Sequence, residues 1–81
     1  MEVQVRLFAT LKDRIGREAI SVHVPEGASV ADLLQAVAEA YPALHPYLAS
    51  AVVAVNHEFA FPHDALRPGD EVALFPPVSG G

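Results

Sequence analysis

Residues 29–41, SVADLLQAVAEAY, carry the clearest helical pattern in the chain. Apolar side chains recur there at the three- and four-residue spacing of one helix face, and polar side chains fall on the other face. Ser29 is a suitable N-cap, and Asp32 three residues later resembles a capping box and suits the helix dipole. Pro42 ends the helix at Tyr41, because the residue before a proline avoids the α region. One amphipathic helix is therefore predicted here.

The residues before this helix predict two paired strands. Apolar and polar residues alternate over 3–8 and again over 20–24, as in half-buried β-strands. The connection at 9–16 is short and closed by a glycine, which favours an antiparallel hairpin. We expect a single helical turn or a loop in this connection, with Leu11 and Ile15 dipping into the core.

The residues after the helix predict further strands. We expect 43–50 to be irregular and packed by its own apolar side chains. The continuous apolar run 51–55 predicts a strand buried on both faces, and 59–61 a short edge strand. Pro-Gly turn chemistry over 66–70 leads into a last strand at 71–75.

The order of elements is therefore β, β, α, β, short β, β. One amphipathic helix lying across one face of a small mixed sheet indicates an α+β domain with the outline of a β-grasp. The first and last strands should be neighbours in the middle of that sheet. We predict a β-grasp domain over 1–75 and a flexible C-terminal tail over 76–81, because prolines and glycines are unsuited to a sheet.

The composition excludes several classes of protein. The 81 residues are 52% hydrophobic and 19% charged, which excludes a disordered polyelectrolyte. Ten acidic and five basic residues give a net charge of −5, so we expect neither nucleic acid nor an anionic membrane as a partner. The absence of cysteine excludes a disulfide scaffold and a cysteine nucleophile. With no signal peptide and no long apolar run, we expect a cytoplasmic protein.

No catalytic constellation stands out in the chain. Glycines form no phosphate-binding loop, and no serine lies in a nucleophile elbow. The acids Asp70 and Glu71 are explained by a turn and a solvated strand start. Histidines with nearby acids match no metal-ligand spacing, so we expect no metal and no bound cofactor. The residues considered for a metal are His23, His45, His57, His63, Glu58 and Asp64.

The tail offers a different kind of site. Pro76 and Pro77 would hold the chain extended, and six extended residues reach roughly 20 Å. Gly80 and Gly81 could enter a slot too narrow for any Cβ. The group delivered at the tip is the Gly81 carboxylate, which ATP on another enzyme could convert to an acyl adenylate. The alternative is a frayed terminus without function.

Two aromatic residues support a partner for the tail. Phe8 falls on the polar side of the first strand, and Phe75 ends the last strand. If those strands are neighbours, both rings could form an exposed patch on the sheet face opposite the helix, which would mark a docking surface. A covering loop or a one-residue slip of the alternation would remove that patch.

Across its whole length the chain resembles the small, sulfur-carrying subunit of molybdopterin synthase, a ubiquitin-like β-grasp family. The resemblance is most specific in the final Phe-Pro-Pro-Val-Ser-Gly-Gly. The segments that carry it are Val5-Arg6-Leu7-Phe8-Ala9-Thr10-Leu11, Ser29-Val30-Ala31-Asp32-Leu33-Leu34, Val53-Ala54-Val55-Asn56 and the stretch from Pro68 to Gly81.

This resemblance implies a role in molybdenum cofactor biosynthesis. It implies that Gly81 is adenylated with ATP by a partner, a ubiquitin-activating-enzyme-like adenylyltransferase, and becomes a thiocarboxylate. The tail would insert into the large catalytic subunit and give sulfur to cyclic pyranopterin monophosphate, two transfers building the molybdopterin dithiolene. The chain would be the non-catalytic subunit of a heterotetramer. Phe8 and Phe75 match partner-contact positions, and the inserting residues would be Pro76, Pro77, Val78, Ser79, Gly80 and Gly81.

Three other hypotheses for the function stay open. A thiamine-thiazole sulfur carrier shares the terminal Gly-Gly, although the prolines at 76–77 and the segment 43–50 argue against it. A protein modifier would join Gly81 to a target lysine; the single lysine, Lys12, disfavours chains of such a modifier. A plain interaction module would leave the tail idle.

Overall fold

The computed structural model describes residues 1–77 and contains one five-stranded mixed sheet. The strand order is β2-β1-β5-β3-β4, with β1 and β5 parallel and the other neighbours antiparallel. The predicted β-grasp architecture is confirmed, including the central pairing of the first and last strands. The elements are β1 Glu2–Leu7, α1 Ala9–Ile15, β2 Ala19–His23, α2 Val30–Ala40, a 3₁₀ turn Pro42–Leu44, α3 His45–Leu48, β3 Val52–Val55, β4 Glu58–Phe59 and β5 Val72–Phe75.

The alternation over β1 and β2 sets which face of the sheet is buried. Val3, Val5 and Leu7 are buried while the residues between them are exposed, and Val5 lies opposite the buried Ile20. The antiparallel pairing is as predicted. The connection is more ordered than expected, because α1 is a seven-residue helix that places Leu11 fully in the core.

The main helix α2 begins as the sequence predicts. The Ser29 hydroxyl accepts a hydrogen bond from the Asp32 backbone N–H at 3.2 Å, and the Asp32 carboxylate accepts one from the Ser29 N–H at 3.0 Å. This reciprocal capping box satisfies two N–H groups that the first turn leaves free. The helix buries Val30, Leu33 and Val37 against the sheet, which closes the core on this side.

The segment after α2 corrects one prediction. It is helical rather than irregular, forming a 3₁₀ turn and then α3. Pro42 is the first residue of the 3₁₀ turn and Pro46 is the second residue of α3. In the first turn of a helix a fixed φ is favourable and the missing N–H is not needed. Leu44 and Leu48, four residues apart, are both buried and hold the segment on the core.

Strand β3 corrects a second prediction. Only Val53 is buried, whereas Val52, Ala54 and Val55 are half-buried, so the strand is not buried on both faces. Antiparallel sheets commonly cover only one face, and here the described helices pack on one side. A two-residue turn at Asn56 and His57, both with positive φ, joins β3 to the edge strand β4.

Among residues 1–77, the sheet therefore presents one face to the helices and leaves the other open. The last strand shows this directly, because Val72 and Leu74 are buried while Ala73 and Phe75 are half-buried. Within residues 1–77 no helix is both long enough and apolar enough to cross a membrane. Strand β5 ends at Phe75, and the tail boundary at residue 76 stays a prediction.

Candidate docking face of the sheet

A row of four residues crosses the open face from β1 to β4. Arg6 lies opposite Ala73, Ala73 opposite Ala54, and Ala54 opposite Phe59. Residues directly opposite one another in a sheet project to the same side. The two alanines in the middle make a low floor, and the larger side chains of Arg6 and Phe59 stand at its two ends.

The next row on this face contains the two aromatic residues singled out in the sequence. The rings of Phe8 and Phe75 are stacked, with 4.5 Å between centroids and 13° between planes. Phe8 keeps to this face because its own backbone is still extended, with φ −128° and ψ 153°. The chain turns into α1 only at the next residue, Ala9, which has a positive φ of 52°. The Arg6 guanidinium carbon lies 5.8 Å from the centroid of the Phe8 ring, so a cation borders the stack.

The exposure of the aromatic residues differs from the prediction. Phe8 and Phe75 meet on the open face as predicted, but each is half-buried because each covers the other. The most exposed aromatic side chains among residues 1–77 are Phe59, at 80%, and Phe61, at 62%. From the sequence, 59–61 is predicted only as a short edge strand, whereas the edge strand β4 covers Glu58–Phe59. Phe59 belongs to the site because it lies directly opposite the small Ala54, and only the strand register shows this pairing.

These side chains enclose a shallow depression of about 300 Å³ on the open face. At one end His57 Nε2 lies 3.3 Å from Glu71 Oε2, and both side chains are exposed. Apart from this pair and Arg6, the wall is mainly apolar. The depression is lined by Arg6, Phe8, Ala54, His57, Phe59, Glu71, Val72, Ala73 and Phe75.

The tail leaves the sheet beside the aromatic stack. Phe75 is the last residue of β5, Pro76 is half-buried and Pro77 is exposed. The remaining predicted tail residues, Val78, Ser79, Gly80 and Gly81, lie outside the described residues. The structure thus brings Phe8, Phe75 and the start of the tail together at one edge of the depression.

The histidines do not form a site. All four are exposed and lie on separate elements, His23 on β2, His45 at the start of α3, His57 in the β3–β4 turn and His63 in a later turn. Across residues 1–77, no three His, Asp or Glu side chains converge as metal ligands would. His63 stacks on Phe61, with 6.0 Å between ring centroids.

Comparison with known proteins identifies the family. The ThiS family model matches residues 5–81, nearly the whole chain. The chain belongs to the ThiS family. A ThiS-family domain with this fold agrees with the resemblance drawn from the sequence to ubiquitin-like sulfur carriers, which is thereby confirmed.

The relatives of this ThiS-family chain match over almost their full length. A molybdopterin synthase sulfur carrier subunit from Chlamydomonas reinhardtii is 39% identical over 83 residues, covering 100% of both chains. Small archaeal modifier protein 1 from Haloferax volcanii is 39% identical over 84 residues, covering 94% of this chain and 97% of that protein.

Solved structures agree with the fold. The crystal structure of SAMP1 from Haloferax volcanii has a TM-score of 0.89 and 37% identity, covering 100% of both chains. A protein–protein complex of subunits 1 and 2 of molybdopterin-converting factor from Helicobacter pylori contains a chain with a TM-score of 0.70 and 27% identity, again covering 100% of both.

Proposed function

We propose that this ThiS-family chain is the sulfur-carrier subunit of molybdopterin synthase in molybdenum cofactor biosynthesis. The β-grasp domain docks on a large catalytic subunit, and the tail carries sulfur on its terminal glycine. The chain itself supplies no catalytic group, because the partner enzymes activate the carrier and bind the precursor.

The observation that carries this proposal is the position of the Phe8–Phe75 stack. The stack lies at the end of β5, where the tail begins, so one surface can hold the partner and aim the tail. From Phe75, six extended residues can reach about 20 Å into a partner. A rigid domain that docks beside the root of a tail is what delivery of a terminal group requires.

The chemistry at Gly81 follows from its carboxylate. A carboxylate resists nucleophiles, so ATP bound to a ubiquitin-activating-enzyme-like adenylyltransferase first converts it to an acyl adenylate with release of pyrophosphate. A sulfur nucleophile then displaces AMP and leaves a thiocarboxylate. That sulfur passes to cyclic pyranopterin monophosphate while oxygen from water restores the Gly81 carboxylate, and two such transfers form the molybdopterin dithiolene.

The relatives support the large subunit as partner. The Helicobacter pylori neighbour, at 27% identity, is in a complex with subunit 2 of molybdopterin-converting factor. The Chlamydomonas reinhardtii relative, which matches this chain over its full length, is named as a molybdopterin synthase sulfur carrier subunit. Both favour molybdopterin synthase over a thiamine-thiazole pathway for this chain.

Intact-mass measurement tests the proposal. The full chain is incubated with ATP, the adenylyltransferase and a sulfur source, and we expect a fraction heavier by the difference between sulfur and oxygen. Fragmentation should place that change on the peptide that ends at Gly81. The matched control is the chain lacking Gly80 and Gly81, which should fold and stay unmodified. An unmodified full chain would contradict the proposal.

A second function is favoured by one observation. The Haloferax volcanii relative, 39% identical, is named as a small archaeal modifier protein. In that function Gly81 would form an isopeptide bond with a lysine of a target protein. Covalent adducts of the full chain in cell extract, absent for the Gly80–Gly81 deletion, would support it.

A further inference from the structure

The open face carries a cation that no acidic side chain neutralises. All ten acidic residues lie within 1–77, and none places a carboxylate oxygen within 4.0 Å of the Arg6 guanidinium. The one acid among the residues that line the depression, Glu71, has its Oε2 3.3 Å from His57 Nε2. In a chain of net charge −5, Arg6 is thus a local positive point on the proposed docking face.

Arg6 stands beside the aromatic stack of that face. Its guanidinium lies 5.8 Å from the centroid of the Phe8 ring, which is itself stacked on Phe75. A guanidinium resting on an aromatic face keeps its N–H donors available for a carboxylate, which it can bind through two parallel hydrogen bonds. The alanine floor begins beside it, since Arg6 is directly opposite Ala73.

The dimensions of the depression define what would fit. Neighbouring strands are about 4.8 Å apart, so the strand of Arg6 lies about 10 Å from the strand of Ala54. An extended peptide rises about 3.3 Å per residue, and therefore crosses that distance in about three residues. An apolar side chain seated on the alanines, against the exposed ring of Phe59, would bring an acid about three positions away over Arg6.

We infer that Arg6 selects the docking partner by pairing with a carboxylate on it, beside an apolar side chain that fills the alanine floor. This inference rests on the proposed function, because it names a determinant of the same docking face. The occupant is the large subunit, through a surface segment bearing an acidic residue near an apolar one. Arg6 acts in docking and takes no part in the sulfur chemistry.

The inference is tested by measuring, with calorimetric titration, how tightly the full chain binds the recombinant large subunit of the same organism. Arg6→Glu should weaken binding by about tenfold or more, since it places like charges together. Arg17→Glu is the matched control: Arg17 is exposed, lies outside the depression, and gives the same change of net charge. It should change the dissociation constant by less than about twofold.

A charge exchange then identifies the partner group. Acidic residues of the large subunit are changed to lysine one at a time, and one such change should restore binding of Arg6→Glu. If none restores it, the ion pair is refuted. If Arg6→Glu binds like Arg17→Glu while Phe8→Ala binds poorly, the inference fails and the proposed function stands. If the unaltered chain does not bind the large subunit, both fail.

Discussion

The side-chain amide of Asn56 donates a hydrogen bond to the Asp70 carboxylate, with 2.9 Å between Nδ2 and Oδ1. The side-chain oxygen Oδ1 of Asn56 accepts a second bond from the Glu71 N–H, also at 2.9 Å. The other Asp70 oxygen accepts from the Arg67 N–H at 2.8 Å. These bonds join the β3–β4 turn to the turn that precedes β5. They therefore help to fix the register that places Ala54 beside Ala73 on the open face.

Two substitutions of Asn56 should separate the contribution of its hydrogen bonds to stability from that of its backbone conformation. We expect Asn56→Ala to lower the free energy of unfolding by about 2 kcal/mol, because it removes the bonds and puts alanine at a φ of 53°. Asn56→Gly removes the same bonds without the steric cost and should lose about 1 kcal/mol. Urea unfolding measures both. Equal losses would show that the positive φ contributes nothing.

The capping box of α2 should behave as one unit. We expect Ser29→Ala to lower the free energy of unfolding by about 1 kcal/mol, because a first-turn N–H loses its acceptor. Asp32→Ala should have a similar effect, and the double variant should lose less than the sum since the two bonds are reciprocal. Ser50→Ala, at an exposed turn, is the control. Strict additivity in urea unfolding would argue against coupling.

Substitutions in β5 and in the edge strand β4 should affect stability and docking differently. Leu74→Ala, at a fully buried position in the sheet centre, should lower the free energy of unfolding by about 2–5 kcal/mol. Phe59→Ala should change it by less than about 0.5 kcal/mol, because that ring is 80% exposed.

The same Phe59→Ala variant should bind the large subunit at least about fivefold more weakly, because an aromatic rim of the depression is lost. Calorimetric titration measures this, with Phe61→Ala as the matched control at an exposed phenylalanine outside the depression. Equal binding by the two variants would remove Phe59 from the docking face.

The aromatic stack should contribute to stability as a pair. A double-mutant cycle of Phe8→Ala and Phe75→Ala should give a coupling of about 0.5–1.5 kcal/mol in urea unfolding, the range for stacked rings. A coupling near zero would mean that the two rings contribute independently. Each single variant should also weaken binding to the large subunit, since each loses part of the proposed contact.

The terminal glycine should be sensitive to a single methyl group. We expect Gly81→Ala to slow thiocarboxylate formation by up to about 100-fold, because a Cβ beside the reacting carboxylate displaces it in a narrow slot. Time-resolved intact-mass measurement with ATP, the adenylyltransferase and a sulfur source gives the rate. Ser79→Ala, two residues away, is the control and should react normally. Normal turnover of Gly81→Ala would refute the narrow slot.

The sequence predicts the parts of this fold that depend on local patterns. The alternation of β1, the caps of α2 and the Pro-Gly turn before β5 are all short-range signals, and each is present. The neighbouring positions of Phe8 and Phe75 could also be anticipated, since they follow from the β-grasp strand order.

Other features depend on contacts that no local pattern contains. The helical form of 42–48 is held by the burial of Leu44 and Leu48, a tertiary effect. One side of β3 is open because the described helices all pack on the other face of the sheet, which the sequence of β3 does not indicate. The place of Phe59 in the site requires the β3–β4 register, which puts it opposite Ala54. The isolation of Arg6 from acids is likewise a matter of three-dimensional spacing.

The parallel pairing of β1 with β5 has a consequence for how the protein is made. The strand that joins the two halves of the sheet, β5, is the last of the described strands to be synthesised. Until residues 72–75 emerge from the ribosome, β1–β2 and β3–β4 are separate two-stranded units, which are marginal in water. A chain whose translation stops earlier exposes unpaired strand edges to proteases and chaperones. The domain is thus completed just as the segment that begins at Pro76 emerges. A chain whose translation stalls before β5 does not fold, and so it does not compete with the full chain for the docking partner.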